Sequence, residues 1–468
     1  MSSSSLARTS TPAWLAEVGA TLTLAWPLIF GQIAYKIQLT TNIMLMGWLS
    51  PTDLAAGMLA MAVINPILVF ANGIASAVAP LSAQTIGRGQ IGGESHDGGR
   101  RYLQQGLWYM AFIAALATPL FMNIAPLLTL LGQEPALVER SAGFARVIGL
   151  MALPHLVIAV FRNFLAAHRL TNVALAVVVG GSTFNFGLGY ALTQSGLGLT
   201  GIGIATVTSN VLMVAALVVY IATKPSFRTL RCFKGLWRID GAALRQLTVI
   251  GLPIGVTVLS EVGLFSASSF LMGTIGADEL AAYAVASQFV GLAFAIPTGI
   301  GIAAMVRVGW AYGRGDARAV SWSGWTSIAL VIVTMGFTSA TYLLFPHALV
   351  SFFLAPGIAA NHGAFDLAVQ FLALVGMLQL ADGVQGVSSH VLRGMSDTFI
   401  PMILAIIGYW PIGFVVASTL VHNTDIGGPG VYFGLLSGLS FSAITMTLRF
   451  FFRNRAMLRG SRAMSPVN

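Results

Sequence analysis

"LMGWLSPTDLAAGMLA" at 45–60 returns as "LMGTIGADELAAYAVA" at 271–286, 226 positions later. The same shift lays Pro27 on Pro253 and "GRGQ" (87–90) on "GRGD" (313–316) with no gap between. A fainter match, offset by 227, sets "FLAAHRLTN" (164–172) near "VLRGMSDTF" (391–399). A period close to half of a 468-residue chain means two copies of one unit. What remains is the solvent for which that unit is built.

Composition answers it. The chain is 56% hydrophobic and 8% charged, against roughly 25% charged in an ordinary soluble domain. So few charges leave a surface that only lipid can cover. The 52 glycines fit, because small residues let helices approach closely where lipid competes for apolar contact. Cys232 is the single cysteine, so neither an intrachain disulfide nor a Cys-cluster metal site is available. The polar start "MSSSSLARTSTP" runs into an apolar segment without a small-residue cleavage site, and no signal peptide is expected.

Apolar runs of about 20 residues, the length that crosses a bilayer, recur about twelve times. They fall near 17–48, 53–80, 102–127, 143–167, 172–194, 198–223, 246–275, 279–307, 321–345, 366–392, 398–421 and 429–452. Connections such as "GRGQIGGESHDGGRRY", "GRGDAR" and "RGMSDT" carry Arg or Lys, whereas those that alternate with them carry almost none. About 21 of the 24 basic residues share one side, and the positive-inside bias puts that side, with both termini, in the cytoplasm. The net charge of +9 is therefore a topology signal. It is spread over short loops with no binding module, which argues against nucleic acid.

These readings define an all-α polytopic membrane protein of the inner (cytoplasmic) membrane. About twelve transmembrane helices form two parallel-repeat six-helix bundles, 1–223 and 244–468, joined by a basic cytoplasmic linker at 224–243. Parallel repeats of this kind place a binding site between or within the halves and belong to alternating-access transporters.

Acids are scarce in these runs. In "GLPIGVTVLSEVGLFSASSFLMG" (251–273), Glu261 lies sixteen residues after Arg245 and seventeen before Asp278, or about 25 Å from either at 1.5 Å per residue. A charge at mid-helix costs ~2.5–3.5 kcal/mol on insertion scales and marks ion or proton pathways. Asp382, in "FLALVGMLQLADGVQGVSSHVLRG", is the second such acid, with Gln379, Gln385 and Ser389 on its helical face. Two acids that met would share a proton or a cation, such as Na+ in a shell of oxygens. In the first half Lys36 is equally central, with Gln32 and Thr40 at i±4. It either pairs with Glu261 or Asp382 across a cavity, competes with a transported ion, or snorkels to an interface.

"GLPIGVTVLSEVGLF", "IPTGIGIAAMVRVGWAYGRGD" (296–316) and "LQLADGVQGVSSHVLRGMSDTFIP" resemble the multidrug and toxic-compound extrusion (MATE) family, in its NorM-like bacterial branch, over nearly the whole chain. The resemblance implies two six-helix bundles arranged as a V around a central cavity. The implied activity is export of amphipathic, often cationic drugs or toxic compounds, by a chain acting as a monomer, in exchange for inward Na+ or H+, with no other cofactor. By motif position it implies that Glu261 and Asp382 are the coupling acids, and that Gln288 and Asn185 are polar groups of the eighth and fifth spans. Members commonly carry an aspartate in the first span where this chain has Asn42 in "TNIMLMG", which shifts ion coupling to the second half. Two rivals stand beside this reading. One is a flippase of lipid-linked precursors, which calls for more cavity cations and more spans. The other is a membrane enzyme, for which no HExxH helix or GxSxG elbow is present.

Overall fold

The structure, a computed structural model, describes residues 13–92, 97–354 and 362–463. The polar start, the stretches 93–96 and 355–361 within two connections, and the final 464–468 lie outside them. Regular structure among the described residues is helical throughout. That is the expected solution in lipid, where a backbone must satisfy its own N–H and C=O groups.

In the first half run α1 (Ala13–Leu49), α2 (Pro51–Ala75), α3 (Val78–Gly92), α4 (Arg100–Met122), α5 (Ala125–Leu130), α6 (Pro135–Ile148), α7 (Ala152–Ala167), α8 (Thr171–Leu192), α9 (Gly198–Thr223) and α10 (Pro225–Leu230). In the second run α11 (Gly241–Ile275), α12 (Ala277–Ala293), α13 (Ala295–Gly313), α14 (Ala317–Leu344), α15 (Pro346–Val350), α16 (His362–Gly394), α17 (Phe399–Ile407), α18 (Val415–Asn423) and α19 (Gly428–Ala463). Eleven stretches are long and apolar enough to cross a membrane. The longest, Thr171–Thr223, is two crossings: Gly196 (φ 88°) and Gly198 (φ 51°) interrupt it with backbone angles that glycine adopts without steric cost. Twelve crossings result, α2–α3, α6–α7, α12–α13 and α17–α18 each forming one. Between α17 and α18 lies a wide π-helical turn, Gly408–Phe414, at Pro411, whose missing N–H breaks the regular ladder.

The duplication is written into the packing between the halves. A Cβ on Gly87 of α3 would stand 3.1 Å from Trp310 Cα, and one on Gly313 of α13 would stand 2.8 Å from Gln84 Cα. Gly87 and Gly313 are repeat mates, as are Gln84 and Trp310. Each half thus lays a glycine on the other's backbone, the reciprocal contact of a two-fold interface. The side chains follow suit. Gln84 donates to Gly394 O (2.9 Å) and Trp310 Nε1 donates to Ala167 O (3.1 Å), again mates at the 227 offset. Even the left-handed turns correspond, Arg169 (φ 60°) with Ser396 (φ 57°).

The two long helices are shared. Leu24, Ala25 and Leu28 of α1 belong to the hydrophobic core of the second half, whereas Ala243, Leu247, Ile250 and Ile254 of α11 belong to that of the first. Glycine permits both crossings: a Cβ on Gly73 of α2 would lie 2.9 Å from Gly255 N, and one on its mate Gly299 would lie 2.8 Å from Ile29 N. Glu17 of α1 adds an ion pair to Arg307 of α13 and accepts from Ser323 Oγ of α14 at 2.7 Å. These ties lie toward the end that carries the basic connections, where the two bundles close into a V.

The basic connection before α11 is fastened to the first half. Gln104 donates to Cys232 O, Gln105 to Arg238 O and Trp108 to Leu236 O, at 2.7, 2.9 and 2.6 Å. Asp240 caps α11 by accepting from the N–H groups of Ala242 and Ala243, and pairs with Arg101. The capping carboxylate satisfies donors that a helix start leaves free.

Candidate functional site

Glu261 and Asp382 come together. They stand on α11 and α16 and line one cavity of about 420 Å³ with Phe265, Ser266, Tyr283 and Phe294. Asp382 is 2% exposed and its Oδ1 has no hydrogen-bond partner within the protein. Gln379, a turn earlier on α16, is 1% exposed, with both amide atoms unpartnered. Gln385, a turn later, donates from Nε2 to Tyr409 Oη (2.8 Å), and its Oε1 is likewise unpartnered. Tyr409 donates to Glu261 Oε2 (3.4 Å). Buried polar atoms are ordinarily paired, so a cluster of orphans around two acids marks a place built for something else to bind.

Helix geometry explains the cluster. Residues 379, 382 and 385 are spaced to share one face of α16, and the apolar residues at other phases bury into the core of the second half. On α11, Leu264 and Leu271 are buried core residues, whereas Glu261 keeps part of its surface accessible and lines the cavity. The Glu261 and Asp382 carboxylates lie within electrostatic reach of each other, and the buried guanidinium of Arg393 acts on Glu261. Two like charges in a low-dielectric pocket repel strongly, and a proton or a small cation bound between them removes that repulsion. Amide and carboxylate oxygens are the ligands that a hard cation prefers. No group of three or more His, Cys, Asp or Glu that could hold a metal occurs among the described residues.

The other residues singled out from sequence divide. Asn42 and Asn185 also meet: both donate to Thr206 Oγ1 (3.3 and 3.2 Å), Asn185 donates further to Ser209 Oγ (3.3 Å), and both amide oxygens are buried without partners. This first-half cluster holds amides and hydroxyls in place of a carboxylate. Lys36 makes no ion pair with Glu261 or Asp382. It reaches across to the second half, where a Cβ on Gly291, part of the acid cavity's lining, would stand 2.6 Å from its Nζ. Gln288 is exposed on α12 and lies outside that lining, although Ser287 beside it is inside. A larger hollow of about 580 Å³ between α1 and α8 is lined by Trp26, Phe30, Gln38 and Val179 and holds no acid or base.

Tyr409 was not legible beforehand. Its signal was the "GYWPIG" stretch, where a phenol and a proline interrupt an apolar run. π-helical turns of this kind recur at functional sites. Arg393 and His390, whose side chains approach at 3.5 Å further along α16, carry no signal in the sequence that sets them apart from the end of the span.

A twelve-crossing, two-fold repeated bundle with an acid pair buried between its helices is the architecture of a secondary transporter. Comparison with known proteins agrees. The MatE family profile matches residues 27–191 and 253–419, two segments whose starts differ by the repeat offset. The chain is 35% identical over 441 residues to the "Probable multidrug resistance protein NorM" of Brucella suis, covering 93% of each. Among solved structures it matches "Crystal structure of MATE in complex with MaL6" with a TM-score of 0.86 at 20% identity, covering 96% of this chain and 100% of that one. It also matches "Outward-facing conformation of a multidrug resistance MATE family transporter of the MOP superfamily" with a TM-score of 0.84 at 20% identity, covering 94% and 96%. The chain belongs to the MATE family. It is a multi-pass membrane transporter and not an enzyme.

Proposed function

We propose that the chain is an antiporter that exports amphipathic organic compounds, drugs among them, in exchange for inward Na+ or H+, and that Glu261 and Asp382 carry the ion. The observation that carries this reading is the cavity lined by two acids from different helices, with the unpartnered amide oxygens of Gln379 and Gln385 a turn to either side of Asp382. The names of the curated relatives support drug export. The two halves are 1–223 and 244–468, with 224–243 between them, and one chain holds both, so the working unit is a monomer. The basic connections support a cytoplasmic location for the joined ends of the halves and for both termini, at the inner membrane. The state described here is then closed to the cytoplasm.

The cycle follows from charge. With the acids ionised, the cavity attracts a cationic group of the substrate. An ion arriving from outside neutralises the pair, lowers that attraction and favours release. Return of the ion to the cytoplasm restores the charge. Coupling requires that ion and substrate each prefer one facing state, and the reciprocal glycine contacts between α3 and α13 are the surfaces that must separate. A lipid-linked-precursor flippase remains the alternative in function, but the family profile and the twelve crossings weigh against it.

The test is dye efflux from vesicles at fixed membrane potential, with Na+ and proton gradients imposed separately. One inward gradient accelerates efflux in the wild type, and Glu261→Gln or Asp382→Asn abolishes the acceleration. Full gradient-driven export in both variants refutes the assignment.

A further inference from the structure

The repeat leads from the acid pair to a second site. Stepping back by 226 carries Glu261 to Tyr35, and stepping back by 227, the offset that aligns α7 with α16, carries Asp382 to His155. The fold pairs these mates as it pairs the acids: the Tyr35 and His155 rings stand 6.0 Å apart, centroid to centroid. The same location in the first half therefore holds a phenol and an imidazole. Around them the chemistry is inverted. Arg162 of α7 acts electrostatically on both Tyr35 and His155, and its Nη2 donates to Gln32 Oε1 at 3.4 Å. Asn72 Nδ2 lies 3.0 Å from His155 Nε2. Lys36 follows Gln32 by one helical turn, on the face of α1 that reaches Gly291.

These six residues are neither sealed in a core nor fully exposed; each keeps part of its surface accessible. Among the described residues no carboxylate pairs with Arg162 or Lys36, although Arg101, Arg140, Arg307, Arg449 and Arg453 each have an acidic partner. A cation held within membrane-spanning helices without a counter-charge is expensive and marks a functional position. Guanidinium offers a planar fork of donors matched to a carboxylate, of which Gln32 takes one.

We propose that Arg162 and Lys36, with the Gln32, Tyr35, Asn72 and His155 side chains around them, form a binding site for a carboxylate of the transported compound. This rests on the export reading and narrows it. The substrates are amphiphiles that carry a carboxylate besides a cationic group, the cation turned to the Glu261–Asp382 cavity and the carboxylate to the first half. Lys36, against Gly291, stands at the border of the two sites.

Rhodamine B and its ethyl ester provide the probe, because the pair differs only in whether the carboxylate is free. Dissociation constants are measured by fluorescence anisotropy on the full chain in phosphatidylcholine nanodiscs, without Na+ and without a gradient. The wild type is expected to bind the acid at least tenfold more tightly than the ester. Arg162→Gln removes that preference by weakening the acid while leaving the ester within about twofold, and Arg162→Lys keeps part of it. A wild type that binds the acid no better than the ester, whether both bind or neither does, overturns the proposal, and that arm needs no variant to fold. A preference that survives Arg162→Gln overturns it as well. Loss of the preference when phosphatidylglycerol is added assigns the site to a lipid headgroup and overturns it. None of these outcomes depends on ion-driven efflux, so this inference and the antiport reading fail separately.

Discussion

Tyr409 donates its hydroxyl to Glu261 Oε2 at 3.4 Å while accepting from the Gln385 amide, so the π-helical turn of the eleventh crossing is tied to both acid-bearing helices. The phenol is fully buried and holds the Glu261 carboxylate in the cavity it shares with Asp382.

Removing that hydroxyl breaks both contacts. A hydrogen bond to a charged group contributes up to ~3 kcal/mol, and one as long as 3.4 Å about 1 kcal/mol. Tyr409→Phe is therefore expected to shift the ion concentration giving half-maximal efflux by roughly fivefold, and to lower thermal stability as well, because it leaves the buried Gln385 amide without its acceptor. Half-maximal concentrations measured in parallel for the two proteins decide it, and an unmoved value removes Tyr409 from the ion site.

The Glu17–Arg307 pair, with Ser323 as a second donor, closes the basic end between α1 and the second half. Both side chains are largely shielded, so losing the charge leaves Arg307 poorly compensated. Glu17→Gln should shift the balance toward separated halves by about 2 kcal/mol, roughly thirtyfold in population ratio. Spin labels at Arg88 and Arg318 would show a longer-distance population in the variant. Identical distance distributions would leave the pair without a role in closure.

A pH effect is expected at His168, which lies beyond the end of α7. Burial, first of all, lowers its pKa to about 4 from the usual 6.5, although its ring donates to Gly98 O at 2.8 Å. The ring also packs on Phe164 and on Phe227 of α10. The unfolded chain binds this proton below about 6.5 and the folded one only below about 4, so stability is full above 6.5 and falls as pH drops through that window. The loss is of order 3 kcal/mol. As pH falls from 6.5 to 4, the melting temperature of the wild type should drop relative to that of His168→Gln. A constant difference would contradict the assignment.

Much of the fold was legible because lipid imposes few solutions. Span lengths, the alternation of basic connections and the Pro27/Pro253 register each reflect a requirement that a single sequence displays. Glu261 and Asp382 stood out for the same reason: a carboxylate amid apolar residues has no ordinary explanation. Helix periodicity gives a residue's face but not the neighbour it meets, so the meeting of Asn42 with Asn185 through Thr206, and the outward position of Gln288, awaited the packing. The sharing of α1 and α11 between cores was hidden too, since alanine and leucine look alike whichever half buries them. Tyr35 and His155 were silent because a phenol and an imidazole in an apolar run attract no notice until the offset from Glu261 and Asp382 is applied.

The claim that ion and substrate exclude each other through the acid pair is tested most directly by equilibrium binding. The affinity of the purified protein for a cationic dye is measured while Na+ and pH are varied in turn. In the wild type one of these ions should weaken dye binding progressively, and in the Glu261→Gln, Asp382→Asn double variant the affinity should be flat. An equal ion dependence in both proteins would contradict the account.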